Sequence, residues 1–203
     1  MYALIKDGSI SKYINHPKSL VIGDVRYPAK IFELWSQSEL NGIGIYEVIT
    51  DTTNYKDEAY YINTNEQYNF ADNQVTKSWG TATPKRLEDE NAVDEDGNNL
   101  LDKDGNQVIN YGLKTEKKRI VKEQASGLLD KTDWHNHKAL DDDTYTIPEN
   151  VKTYRANVRS KSNEMETQID ACTTVDELKA LYEYTEQEDG TVTRPLAEFP
   201  KEI

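Results

Sequence analysis

Val151-Lys152-Thr153-Tyr154-Arg155-Ala156-Asn157-Val158-Arg159 opens the longest periodic stretch of the chain, and its reading sets the frame for the rest. Val151, Val158, Met165 and Cys172 recur seven residues apart, with Tyr154 and Ile169 between them. That spacing draws one apolar stripe along a helix over 148–172. Lys152, Asn157, Lys161, Asn163 and Glu164 fall on the opposite face and want water. Pro148 suits the first turn, where its missing N–H costs nothing. The stripe is narrow and broken by Ser162, so the helix needs a partner surface. Residues 116–129 supply one, with Ile120, Val121, Ala125, Leu128 and Leu129 on one side. Gly127 in that pattern costs about 1 kcal/mol relative to alanine. It marks either a close helix–helix approach or a tolerated glycine near a fraying end. Thr132-Asp133-Trp134 closes the polar break that follows. Thr174 with Glu177 spells a capping box, and Leu178, Leu181 and Tyr182 continue it into a third helix over 174–184.

Upstream, the pattern changes to short strands and turns. Residues 2–5 and 10–13 flank Asp7-Gly8 and read as a hairpin. Residues 15–28 read as irregular, with Pro17, Gly23 and Pro28. Residues 29–40 read as one short helix through Ile31, Leu34 and Trp35, stopped by Gly42 and Gly44. Residues 45–49 read as a strand able to pair with the first hairpin. Residues 59–62, 68–70 and 75–79 read as a strand meander rich in aromatics: Tyr60, Tyr61, Tyr68, Phe70 and Trp79. Cross-strand aromatic pairs stabilise small sheets; an aromatic-binding groove is the functional alternative.

Between the halves, residues 86–105 hold eight acidic and two basic side chains. Within this run Asp94-Glu95-Asp96-Gly97-Asn98-Asn99-Leu100-Leu101 is echoed by Asp102-Lys103-Asp104-Gly105-Asn106-Gln107-Val108-Ile109. Each unit sets an Asp-Gly turn before an apolar pair, the chemistry of an exposed hairpin arm. The organisation that emerges is α+β. A β-rich domain of hairpins and meander with one short helix covers 1–85. An acidic hairpin arm or linker covers 86–113, a helical hairpin plus a short third helix 114–184, and an extended tail 185–203.

Apolar residues are 36% of the 203, with ten glycines besides, below the roughly 45–50% of an ordinary domain counted the same way. So lean a core favours contacts between copies, and a homo-oligomer is expected. The net charge is −13. A nucleic-acid-binding domain carries the opposite balance. No apolar run approaches the roughly 18 residues of a membrane helix, and the first residues do not spell a signal peptide. A soluble chain made in a cytoplasm is expected, with neither nucleic acid nor membrane as partner. The lone Cys172 sits on the helical stripe and reads as a small buried apolar residue.

Chemistry-bearing patterns are sparse. His135-Asn136-His137, near Asp130, Asp133 and the aspartates 141–143, offers two imidazoles and carboxylates but no further spaced ligand pair, and reads as a solvated loop. The Asp-x-Asp-Gly units lack the closing glutamate of a calcium loop, since position twelve is Gly105 from one start and Leu113 from the other. Lys114, Lys118 and Lys122 share one helix face. They oppose the dipole there unless an acidic neighbour faces them, and the 86–104 run is the candidate. No phosphate loop and no nucleophile–base arrangement is present in the spelling. No catalytic residue, metal site, cofactor or small-molecule substrate is expected.

A set of motifs then resembles a known group. The opening Met1-Tyr2-Ala3-Leu4-Ile5-Lys6-Asp7-Gly8, the segment Ile43-Gly44-Ile45-Tyr46-Glu47-Val48 and the stretch Asp57-Glu58-Ala59-Tyr60-Tyr61-Ile62-Asn63 are similar to proteins encoded beside tail-fibre genes of tailed phages. Gln124-Ala125-Ser126-Gly127-Leu128-Leu129-Asp130-Lys131-Thr132-Asp133-Trp134 resembles their leucine pair followed by Thr-Asp-Trp. Pro148, Val151, Tyr154-Arg155 and Val158-Arg159 resemble the Tyr-Arg helix after it. The resemblance is to tail-accessory proteins and tail-fibre assembly chaperones, especially of marine phages. It implies a non-enzymatic tail or tail-fibre component, resident in the virion and synthesised in the bacterial host cytoplasm, with phage tail or tail-fibre proteins as partners. An assembly chaperone that leaves is the alternative. The helix after 173 and the end at Arg194-Pro195-Leu196-Ala197-Glu198-Phe199-Pro200 depart from the chaperones. Trp134, Tyr154, Arg155 and Arg159 are the expected protein-binding residues, since Trp, Tyr and Arg anchor interfaces. The same residues also fit a purely structural fastening, with Trp134 covering the core and the arginines pairing with nearby aspartates.

Overall fold

Asp7 and Gly8 take positive φ, 52° and 77°, and turn β1 (Tyr2–Lys6) back onto β2 (Ser9–Ile14). Paired left-handed residues match the twist of a two-residue hairpin. Asp72 and Asn73 repeat the device, with φ of 50° and 57°. The computed structural model describes every residue, Met1–Ile203, and the chain divides into two units, Met1–Thr83 and Pro84–Ile203. The class is α+β, as the spelling predicts.

In the first unit β3 (Leu20–Ile22) and β4 (Val25–Tyr27) form a small hairpin in a stretch read from sequence as irregular. Three-residue strands are too short to reveal a period, and Gly23-Asp24 was the available signal. Residues 29–40 are not one helix but two, α1 (Ile31–Leu34) and α2 (Gln37–Gly42). Ser36 restarts the chain: its Oγ accepts from Glu39 N at 3.3 Å, and its own N–H donates to Glu39 Oε2 at 2.8 Å. β5 (Ile45–Thr50) pairs antiparallel with β1 and parallel with β8 (Gln74–Ser78), while β7 (Gln67–Ala71) pairs antiparallel with β8. The resulting five-stranded sheet has the order β2-β1-β5-β8-β7. β6 (Tyr61–Ile62) and β9 (Thr83–Pro84) lie outside it. Leu20, Ile31, Leu40 and Ile45 make the buried cluster, flanked by Tyr2, Phe32 and Trp35. The aromatics satisfy one another: Tyr13 packs on Tyr68 at 4.8 Å and Tyr46 on Phe70 at 4.8 Å.

The second unit begins with the acidic arm. β10 (Glu90–Asn91) and β11 (Ile109–Asn110) close its base. Above them Ala92, Leu100 and Val108, spaced eight apart, bond in a ring. Ala92 N–H donates to Val108 O at 2.8 Å, Val108 N–H to Leu100 O at 2.9 Å, and Leu100 N–H to Ala92 O at 2.8 Å. In each loop between them an aspartate folds onto its own backbone. Asp94 Oδ1 accepts from Asp96 and Asn98 N–H, and Asp102 Oδ1 from Asp104 and Asn106 N–H. The eight-residue echo in the sequence is thus a structural repeat.

α3 (Leu113–Asp130) starts where Gly112 presses on residues 87–88; a Cβ there would lie 2.4 Å from the Glu88 backbone. Its first N–H groups are satisfied by that segment, Leu113 N–H by Arg86 O and Lys114 N–H by Leu87 O. α4 (Asp133–Asp141), α5 (Glu149–Ala171) and α6 (Val175–Ala180) follow. α4 occupies the segment read as a polar loop. α5 buries Val151, Tyr154, Val158, Met165 and Ile169, the stripe read from sequence, and Thr174 with Glu177 forms the capping box of α6.

α3 and α5 pack together through apolar contacts and an ionic seam. Lys114 Nζ meets Glu88 and the Asp170 carbonyl, Lys118 meets Asp170, and Lys122 meets Glu166. The acidic run supplies a partner for one lysine; α5 supplies the others. Residues 185–203 are not an extended tail. β12 (Thr185–Glu186) and β13 (Val192–Thr193) form a hairpin, Leu196 is fully buried, and the Gln168 amide pairs with Pro195 O and Ala197 N–H. Phe199 packs against Ala125, Tyr154 and Val158. α5 alone offers too little apolar surface, and the returning segment completes its cover.

Candidate functional site: the corner of α3, α4 and α5

The residues singled out from sequence converge on this corner but part in role. Arg155 is 7% exposed. Its guanidinium donates to Leu129 O at 2.8 Å and Thr132 Oγ1 at 2.6 Å, and pairs with Asp133 Oδ1 at 2.6 Å. Thr132 Oγ1 donates in turn to Leu129 O at 3.0 Å. The leucine pair and Thr-Asp letters therefore spell the ligands of one arginine. That arginine holds the carbonyl end of α3 to the first turn of α4, a placement that favours a cation. The Arg155–Asp133 pair is the arginine–aspartate fastening that the sequence offers, and Asp133 Oδ1 also accepts from Asn136 Nδ2 at 3.4 Å. Tyr154 is 5% exposed, and its hydroxyl has no hydrogen-bond partner. Neither side chain forms part of an outer contact surface.

Trp134 stands outside the corner, 54% exposed. Its indole stacks on His135 with centroids 3.7 Å apart and planes 26° apart. His135 Nδ1 is hydrogen-bonded to the Tyr145 hydroxyl, and Lys138 Nζ sits 4.4 Å over the Tyr145 ring. Arg159 is exposed on α5 and reaches only the Arg155 carbonyl, at 3.5 Å. The expected quartet is thus split: a buried pair, an exposed tryptophan, and an arginine one turn along.

Sequence reasoning missed the setting of Trp134. α4 buries none of its residues, and Leu140 is 81% exposed. A groove of about 310 Å³ runs between the start of α4 and the start of α5, lined by Lys131, Thr132, Trp134, His135, Val151 and Ile203, among others. Lys131 Nζ, one of its lining residues, pairs with Glu202 Oε1 at 2.6 Å. The available signals were Asp133 at a helix start and Lys138 near its end, too sparse to outweigh the run of polar letters. Next to α4, Asp142 accepts from Thr144 Oγ1 and N–H, and these bonds hold its carboxyl below the usual aspartate value.

No group of three or more His, Cys, Asp or Glu side chains is placed to hold a metal ion, and His135 spends Nδ1 on Tyr145. A wider open depression along α3, about 800 Å³, is lined by Lys118, Arg119 and Lys122, each of them paired with a carboxylate. No helix is long and apolar enough to cross a membrane. The corner presents a stacked aromatic surface beside a groove. Comparison with family models, curated proteins and solved structures returned no match.

Proposed function

We propose that this chain is a non-catalytic structural or accessory protein of a phage tail, attached to the tail or tail fibre through protein–protein contacts. The observation that carries the reading is the placement of the Thr-Asp-Trp and Tyr-Arg letters that resemble tail-accessory proteins. Thr132, Asp133 and Arg155 lock three helices together, and Trp134 is left outside on a fixed mount. An exposed aromatic on a rigid mount suits an interface anchor. The virion tail is the proposed location, after synthesis in the bacterial host, and several copies around a tail or fibre axis are the proposed assembly.

Quantitative mass spectrometry of purified, salt-washed virions, scaled to the tail-tube protein, tests this. A ratio of small whole numbers is expected. Absence from particles, with co-purification of a fibre protein from infected cells, would replace this reading with that of an assembly chaperone.

A further inference from the structure

The two Asp-Gly loops of the acidic arm belong to a threefold pattern. Leu100 N–H donates to Ala92 O, Val108 N–H to Leu100 O, and Ala92 N–H closes the ring on Val108 O. A hairpin leaves each side of that ring. In the first Val93 pairs with Asn99, and in the second Leu101 pairs with Gln107. In the third Ile109 pairs with Asn91, where β10 and β11 carry the chain in and out. Val93, Leu101 and Ile109 are thus equivalent positions of one trefoil. Side chains alternate along each strand, and neighbouring hairpins share their ring residues. Ala92, Leu100 and Val108 therefore lie to one side of the trefoil, and the three aliphatic–amide pairs to the other. Gln107 Nε2 donates to Ala92 O at 2.9 Å and Val108 O at 2.8 Å, which fastens the ring. Away from the base this second side is uncovered: Val93 is 54% and Leu101 55% exposed. The free tips, 94–96 and 102–104, carry five carboxylates and one lysine. That lysine, Lys103, reaches Asp104 only at 4.0 Å, with both side chains exposed, a pair worth little.

We propose that this side of the trefoil docks on the end of a homotrimer, three copies of one partner chain meeting on a threefold axis, each presenting an apolar residue flanked by lysine or arginine. Two observations select that occupant. A surface that offers an aliphatic–amide pair three times about one axis makes the same contact three times with a partner of the same symmetry. Contacts that are weak singly then act together on one rigid frame. The acidic tips match a cationic rim and disfavour a second copy, whose own tips would meet them with the same sign. This docking surface rests on the reading of the chain as a protein-binding component and leaves the role of Trp134 untouched.

The test places a photoreactive side chain at Val93 in one preparation of the full chain and at Leu101 in another, each produced and irradiated in the native host. Both should crosslink to the same residue of one partner sequence. Native mass spectrometry of the isolated complex should show one copy of this chain with three of the partner. Glu95→Lys with Asp96→Lys should lower the crosslink yield from either position about tenfold. All four positions are exposed, and unchanged far-UV circular dichroism of the purified variants verifies that the fold is kept. Crosslinks to different partner residues, to a second copy of this chain or to nothing overturn the proposal, and an unchanged yield after the charge reversals overturns the cationic rim. Coinciding crosslinks to a protein absent from virions would sink the tail reading alone. Presence of the chain in virions without coinciding crosslinks would sink the trefoil alone.

Discussion

Arg155 and Trp134 lie close in the chain's corner yet face opposite demands. Arg155 serves three acceptors with one buried guanidinium. Arg155→Ala removes a buried guanidinium and its bonds to all three acceptors; Thr132 Oγ1 still donates to Leu129 O, and Asp133 is left to solvent. The expected loss is about 2–4 kcal/mol, read as a lower denaturant midpoint. Arg155→Lys should recover little, since a single ammonium cannot reproduce the planar fork. Trp134→Ala should shift stability by only about 0.5 kcal/mol while weakening partner binding. The arginine's importance was legible from the recurring letters around it. Its burial was not, because the acceptors that make burial tolerable lie 22–26 residues away in sequence.

At the scale of elements, caps and loops carry the local instructions. Thr174→Ala removes the side-chain acceptor for Glu177 N–H and should cost about 1 kcal/mol, measured by thermal unfolding. In the acidic arm, Asp102 is held below its ordinary value of 3.8, first by the Asn106 backbone N–H and then by the Asn106 side chain. Asp94 is lowered in the same way by Asn98. A carboxyl depressed in the folded state releases its proton more readily there than when unfolded. Its contribution is therefore present above the unfolded value and lost as pH falls through the folded one. Asp102→Asn should narrow the gap between denaturant midpoints at pH 7 and pH 3; an unchanged gap would show that the loop does not couple to folding. The capping boxes at Ser36 and Thr174 have an S/T-x-x-E spelling. The first is masked in the sequence because Trp35 continues the preceding apolar pattern, and an N-cap outranks such continuity. α4 illustrates the converse: with no buried face, it left no apolar period to read.

For the whole molecule, the excess of acid governs the response to salt. Net charge is −13, while most ion pairs are exposed and worth little individually. Added salt screens the repulsion over longer distances and these pairs alike, but the repulsion involves more charges. Raising sodium chloride from about 0.05 to 0.5 M, across which the Debye length falls severalfold, should therefore raise the thermal midpoint. A fall would place the α3–α5 seam above repulsion in the balance.

The sequence by itself determined the α+β class, the α5 stripe, the cap of α6 and the paired turns of the arm. These are set by residues within a turn or two of one another, through periodicity, φ preference and side-chain-to-backbone bonds. Tertiary structure alone decided the parallel β5–β8 pairing, the return of 194–199 onto α5, the acidic partners of Lys118 and Lys122, and the division of labour between Arg155 and Trp134. Each depends on groups far apart in the chain meeting in space, where burial and charge are balanced only after the elements have packed.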